Sequence, residues 1–203
     1  MNETLKRALS GTVYVAIMWF GIFYSTLSFH ILFAATFLVC LYEMYRLRKG
    51  KTKTPAFLYV LFPFLLVHFI KQELVLFIFI LTWTFDTFAY LVGVKFGKHK
   101  IIPAVSPKKS WEGFAGGFIF TVIAAYLMAS YFSEIELNQA ITISLFLPFT
   151  ATIGDLIESH YKREAGVKDS GNFIPGHGGM LDRIDGVIFA IPTTMLIIHP
   201  LVF

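Results

Sequence analysis

Asp155, Asp182 and Asp185 bracket a hydrophilic interval late in a greasy chain. Three carboxylates converging at such a boundary repel one another unless a cation sits among them, and all-oxygen ligands favour a hard ion. Mg²⁺ is the natural occupant, with a second cation as an option. Asp155, Glu158, Ser159 and Lys162 fall at i, i+3, i+4 and i+7, so a helix carries them on one stripe. Asp182 and Asp185, three apart, share a face where the last apolar run begins. Glu158 and Lys162 taken alone read as an i,i+4 surface pair. Between the acids runs Ile174-Pro175-Gly176-His177-Gly178-Gly179, a segment rich in residues that tolerate unusual backbone angles. Such a loop, followed by a helix start, can bring peptide N–H groups to a phosphate. Lys162, Arg163, Lys168 and Arg183 flank it, and together these features predict a site for polyphosphate with metal.

A second polar loop holds Ser106-Pro107-Lys108-Lys109-Ser110-Trp111-Glu112-Gly113, with adjacent ammonium groups, two hydroxyls and an interfacial Trp. Membrane topology accounts for its lysines as well as catalysis does. Upstream, Asp86 lies about 10 Å inside a long apolar run at 1.5 Å per residue. An unpaired carboxylate at that depth costs roughly 2.5–3.5 kcal/mol, so Asp86 is expected to face a wet or cationic interior. Gly93, Gly97, Gly113, Gly116 and Gly117 read as close-packing or turn positions.

The elements that must hold these residues are membrane helices. Hydrophobic residues make up 56% of the 203 and charged ones 15%, and 23 are Phe, more than a soluble core of this size needs. Apolar runs are read at 10–29, 29–45, 56–70, 74–92, 114–132, 140–157 and 186–203, several near the roughly 17–25 residues that cross a bilayer. Charge placement tests the count. With the N-terminus inside, every Lys and Arg of the 17 except Lys71 falls on the cytoplasmic side. The expected fold is an all-α integral membrane protein, a polytopic bundle of about seven transmembrane helices with its N-terminus cytoplasmic and its C-terminus outside. It forms a single membrane domain over 1–203, with 1–85 as lipid-facing N-terminal helices and 86–203 as the catalytic region. The first apolar run is too long and aromatic for a signal peptide. The lone Cys40 excludes a disulfide framework within the chain and a Cys-based metal site. His30, His68, His99, His160 and His199 carry no assigned role.

The spacing Ser159-x-x-Lys162-Arg163, Lys168-Asp169 and His177-Gly178-Gly179-x-x-Asp182-Arg183-x-Asp185 resembles the signature of the phosphatidate cytidylyltransferases, or CDP-diacylglycerol synthases. Asp86 to Gly93, Phe96-Gly97-Lys98 and Ser106 to Gly113 match the same pattern. The resemblance covers the chain from Asp86 onward. Tyr161 departs from it where an aliphatic residue or Phe is usual, and the chain is shorter than typical members at its N-terminal side. The resemblance implies that CTP and phosphatidic acid are converted to CDP-diacylglycerol and pyrophosphate. Asp155 and Asp182, with Asp185 as a third, would hold Mg²⁺. Lys162, Arg163, Lys168 and Arg183 would neutralise CTP phosphates, and Ser106, Lys108 and Lys109 the lipid head group. His177 is either a phosphate donor or a turn residue. No general base is needed, because the phosphatidate oxygen is already ionised. A bacterial inner membrane and a cytoplasmic active site are expected, with a homodimer as an option and the oligomeric state left open. Alternatives are a CTP-dependent lipid kinase, a cytidylyltransferase for another lipid phosphate, and a non-catalytic lipid-binding protein.

Overall fold

The computed structural model describes residues 3–202 of the 203, and Phe203, where the last apolar run ends, lies outside them. The side chains of Lys6 and His199 also lie outside what is described. The chain order is α1 (Glu3–Phe23), α2 (Thr26–Leu47), α3 (Thr54–Leu66), α4 (Gln72–Phe96), α5 (Trp111–Met128), α6 (Leu137–Glu164) and α7 (Leu181–Val202). Among the described residues there is no strand, only isolated bridges at Lys100 with Ser110 and Ile174 with Gly178. Four segments are long and apolar enough to cross a membrane: Thr26–Leu47, Gln72–Phe96, Trp111–Tyr131 and Leu137–Glu164. Arg7–Phe23 and Thr54–Phe69 are shorter apolar helices. Large apolar side chains such as Phe20, Leu38, Phe62, Val94 and Leu196 stand exposed on the outside, as lipid contact requires. The protein is a helical membrane protein.

Local chemistry sets the helix limits. The first expected run, drawn to residue 29, stops at Phe23, because Ser25 and Ser28 cap α2 reciprocally, each hydroxyl accepting the other's N–H at 3.0 Å. Ser110 caps α5 by accepting the Gly113 N–H at 3.2 Å. Pro63 lies inside α3, which closes in a 3₁₀ turn at Val67–Phe69.

Two close helix crossings position the site. On α5, Gly113 faces Gly93 and the Ala89 carbonyl of α4, where an added Cβ would stand 3.0 and 2.6 Å from them. Gly117 packs on Phe85 in the same way. On α6, Gly154 meets the start of α7 so closely that a Cβ there would lie 2.3 Å from the Asp185 carbonyl oxygen. Tyr59 of α3 donates to the Gly154 carbonyl at 3.0 Å and pins the same junction.

Polar contacts assort the helix ends into two sets. At one end, Arg48 and Lys51 after α2 meet Glu164 at the end of α6, Lys109 meets Asp155, and Ser10 of α1 donates to the Pro175 carbonyl at 2.7 Å. At the other, Lys71 pairs with Glu134, Glu73 accepts the Ser133 hydroxyl at 3.2 Å, and the Nδ1 atoms of His30 and His68 lie 2.7 Å apart. Among the described residues, the basic side chains that make these contacts belong to the first set, apart from Lys71.

Candidate active site

At that basic end a cavity of about 700 Å³ opens between α4, α5, α6, α7 and the two polar loops, within the size range of small-molecule sites. Its walls differ in chemistry. Phe85, Ala89, Tyr90, Val94 and Phe114 make an apolar side. Lys100, Lys108, Lys109, Lys162, Arg163, Lys168 and Arg183 supply cations around it, and Asp86, Asp155, Asp169, Asp182 and Asp185 supply acids. Ser106 also lines it. Asp86, in the apolar run of α4, therefore faces the cavity and not lipid.

The crossing at Gly154 brings α6 and α7 close enough for Asp155, Glu158 and Asp185 to offer ligand oxygens within 4.8 Å of one another. This group could hold a metal ion. Ser159 donates to Asp155 Oδ1 at 3.1 Å, fixing that carboxylate, and Lys109 pairs with its other oxygen. Glu158 differs from the surface partner expected of it: its side chain is 0% exposed. It faces α7 because the stripe that carries it is the one α7 covers. Beyond its ion pair with Lys162, neither Glu158 oxygen has a hydrogen-bond partner. A buried carboxylate with free lone pairs beside two more carboxylates fits a hard divalent cation.

Asp182, expected as a metal ligand, is otherwise engaged. Its Oδ1 accepts from Lys162 Nζ at 2.7 Å, and its Oδ2 accepts the Ser170 and Gly179 N–H groups at 2.9 and 2.7 Å and lies 3.0 Å from Ser170 Oγ. Lys162 thus bridges Glu158 and Asp182 with little exposure.

The glycine loop also sits differently from expectation. Gly176 and Gly178 adopt φ of 79° and 85°, which only glycine takes without strain. Several N–H groups of the loop and of the residues just after it, however, are spent inside the protein. His177 donates to the Ile174 carbonyl at 2.9 Å, Gly179 to Asp182, and Met180 and Leu181 to Glu43 at 3.0 and 2.9 Å. These four N–H groups hold the loop in place. His177, Gly178 and Gly179 stand beside the cavity. The imidazole turns to α1, with Nδ1 2.9 Å from Ser10 Oγ and its edge against Gly11. Burial, with the Arg183 and Arg7 guanidinium groups, holds it below its ordinary pKa. Arg183 itself donates to the His177 carbonyl at 2.8 Å.

Glu43 was not anticipated. An acid within an apolar run was the signal that marked Asp86, and the same signal stood at Glu43, hidden by the basic cluster that follows it. Lys100 was read only for topology, yet it lines the cavity. Helices α1 and α2 both touch the loop through Ser10 and Glu43, so the first 85 residues do more than face lipid.

Chemically, the cavity can neutralise a polyanion, hold a divalent cation on its acid wall and receive hydrocarbon on its apolar wall. The model of the cytidylyltransferase family matches residues 56–201. A phosphatidate cytidylyltransferase of Thermotoga maritima is 48% identical over 122 residues, covering 57% of this chain and 45% of that one. One from Mycobacterium leprae is 44% identical over 117 residues, covering 57% and 38%, and one from Staphylococcus aureus 45% over 120, covering 58% and 46%. The matched stretch spans less than half the length of each of these relatives.

Proposed function

The chain belongs to the cytidylyltransferase family, and on that basis we propose that it is a phosphatidate cytidylyltransferase, making CDP-diacylglycerol and pyrophosphate from CTP and phosphatidic acid. The observation that carries this reading is the three-walled cavity, where cations, clustered carboxylates and apolar side chains meet in one volume. A kinase or transferase acting on soluble substrates has no use for the third wall.

A phosphate oxygen of phosphatidic acid attacks the α-phosphorus of CTP, a new P–O bond forms, and the bond from the α-phosphorus to the bridging oxygen of pyrophosphate breaks. Two polyanions must therefore meet in line, with charge building on the leaving group. Lys162, Arg163, Lys168 and Arg183 bind the CTP phosphates, the guanidinium groups gripping two oxygens each. Ser106, Lys108 and Lys109 bind the lipid phosphate, and Phe85, Tyr90, Val94 and Phe114 take the start of its hydrocarbon. Asp86 and Asp169, acids on the wall, accept from the hydroxyl or amino groups of the nucleoside. Asp155, Glu158 and Asp185 would hold Mg²⁺, which when bound would supply positive charge to offset that of the phosphates. Asp182 keeps Lys162 and the loop in place and is a further candidate ligand. No side chain need take a proton from the nucleophile. The seven helices cross a bacterial inner membrane with this end cytoplasmic, and the protein works as a homodimer.

The test is pyrophosphate release by the detergent-purified chain given CTP, phosphatidic acid and Mg²⁺, beside Asp185→Asn and a control without lipid. Lipid-dependent pyrophosphate that falls about a hundredfold or more in the variant is the expected result. Release of CDP in place of pyrophosphate would instead identify a CTP-dependent lipid kinase.

A further inference from the structure

A carboxylate inside an apolar helix is costly unless it is answered by donors, and Glu43 is answered from across the bundle. Its side chain leaves α2 buried, at 3% exposure, and enters the loop before α7. Oε1 accepts the Met180 N–H at 3.0 Å, while Oε2 accepts the Leu181 N–H and the Ser170 hydroxyl, both at 2.9 Å. Ser170 Oγ also lies 3.0 Å from Asp182 Oδ2. One serine hydroxyl, with a single proton, thus sits between two carboxylates. Glu43 takes the N–H groups that open α7, and Asp182 takes those of Ser170 and Gly179, so the pair closes the 170–182 segment on itself.

Two glycines owe their identity to this arrangement. A Cβ on Gly171 would stand 2.5 Å from Glu43 Oε1, and one on Gly179 would stand 2.0 Å from Ser170 Oγ and 2.5 Å from Glu43 Oε2. Neither has a positive φ. At both, the space that a Cβ would take is filled by the Glu43 carboxylate or the Ser170 hydroxyl, and the backbone takes no left-handed turn. Glu43 also lies before residues 56–201, the part of the chain that the family shares.

We propose that Glu43 is a positioning residue, which locks the 168–182 segment to α2 and so fixes Lys168 and Asp182 on the cavity wall, and Lys162 through Asp182. Its bonds are charge-assisted and fall on a helix N-terminus, where an anion is favoured. The effect on turnover rests on the cytidylyl-transfer reading given above; the locking of the segment does not.

The experiment uses the whole chain in detergent with Glu43→Gln, Ser170→Ala and the variant that carries both. The amide of Gln turns an acceptor into a donor that faces N–H groups. Trypsin cleavage after Lys168 is timed against cleavage at Lys98, Lys100, Lys108 and Lys109, which report the other loop, and kcat and KM for CTP are measured alongside. Loss of a charge-assisted bond should open the segment about tenfold more often, so cleavage after Lys168 rises about tenfold while the other loop is cut at the parent rate. Turnover should fall about 10–100-fold, as for partners that orient a site's ligands, with kcat falling more than KM rises. The double variant should be no worse than the worse single one, because both remove the same lock. Unchanged cleavage after Lys168 would overturn the proposal, and so would equal loosening of both loops, which would make Glu43 a general support of the bundle. Should Glu43→Gln fail to fold, the cleavage ratio in Ser170→Ala decides alone. A parent chain that releases no pyrophosphate would refute the cytidylyl-transfer reading and leave the cleavage ratio to judge Glu43.

Discussion

Lys162 is the residue on which the acid network balances. It stands between Glu158 and Asp182, all three side chains largely buried, and its ammonium group is the cation nearest to both carboxylates. Replacing it by Met keeps the length of the side chain and removes the charge. Glu158 would then be buried without compensation, and Asp182 would keep only its bonds to Ser170 and Gly179, a loss of about 3–5 kcal/mol. A fall in the thermal midpoint in detergent is the expected outcome, partly recovered by adding Glu158→Gln; an unchanged midpoint would mean that solvent reaches the pair. His177 allows a test by pH. Its imidazole is held below the ordinary value by burial and by Arg183 and Arg7, so the unfolded chain takes up the proton first as the pH falls. The stability it contributes is therefore complete above about 6.5 and is lost as the pH drops below that value, levelling once the folded imidazole protonates as well. Thermal midpoints of the parent and of His177→Gln should diverge at pH 8 and converge toward pH 5, with the parent losing more. Parallel curves would show that the contact with Ser10 is not sensitive to protonation. The chemical types at both positions were legible in the sequence. Which partner each meets was not, since Ser10 and His177 are joined by the fold across most of the chain.

Among the helices, the crossing of α6 and α7 does the most for the site. Gly154 permits an approach that no larger residue allows, and the approach is what places Asp185 opposite Asp155 and Glu158. Gly154→Ala pushes a methyl group into the Asp185 carbonyl, and relieving the overlap costs about 1–3 kcal/mol. The variant is expected to stay folded, to lose most of its pyrophosphate release and to need more Mg²⁺ for what remains. Parent-like Mg²⁺ dependence would separate the crossing from the acid group. Of the glycines that read as close-packing or turn positions, Gly113 and Gly117 pack against backbone of α4. Gly154 gives no such signal in the sequence. A single glycine inside a run of apolar and hydroxyl residues looks like many others until the opposing helix is known.

Across the molecule, the proposed topology assigns the two sets of polar contacts to opposite sides of a membrane. Lys49 is exposed at the basic end and Ser133 at the other, while Cys40 is fully buried. Lys49→Cys and Ser133→Cys should therefore react with an impermeant thiol reagent from opposite sides of sealed vesicles, Lys49→Cys from the cytoplasmic side. Labelling of both from one side would break the seven-crossing arrangement. Helical class, the number of helices and the grouping of the basic loops were already present in the chain, because apolar length, caps and charge act within a few residues of one another. The carboxylates and cations of the site were present too, as types in a pattern. Only the tertiary structure decided that Glu158 joins Asp155 and Asp185, that Asp182 turns to Lys162 and Ser170, and that Glu43 of α2 closes the loop. Each of those outcomes depends on which helix faces lie opposite one another and how closely they approach, and no local pattern along one helix contains that distance.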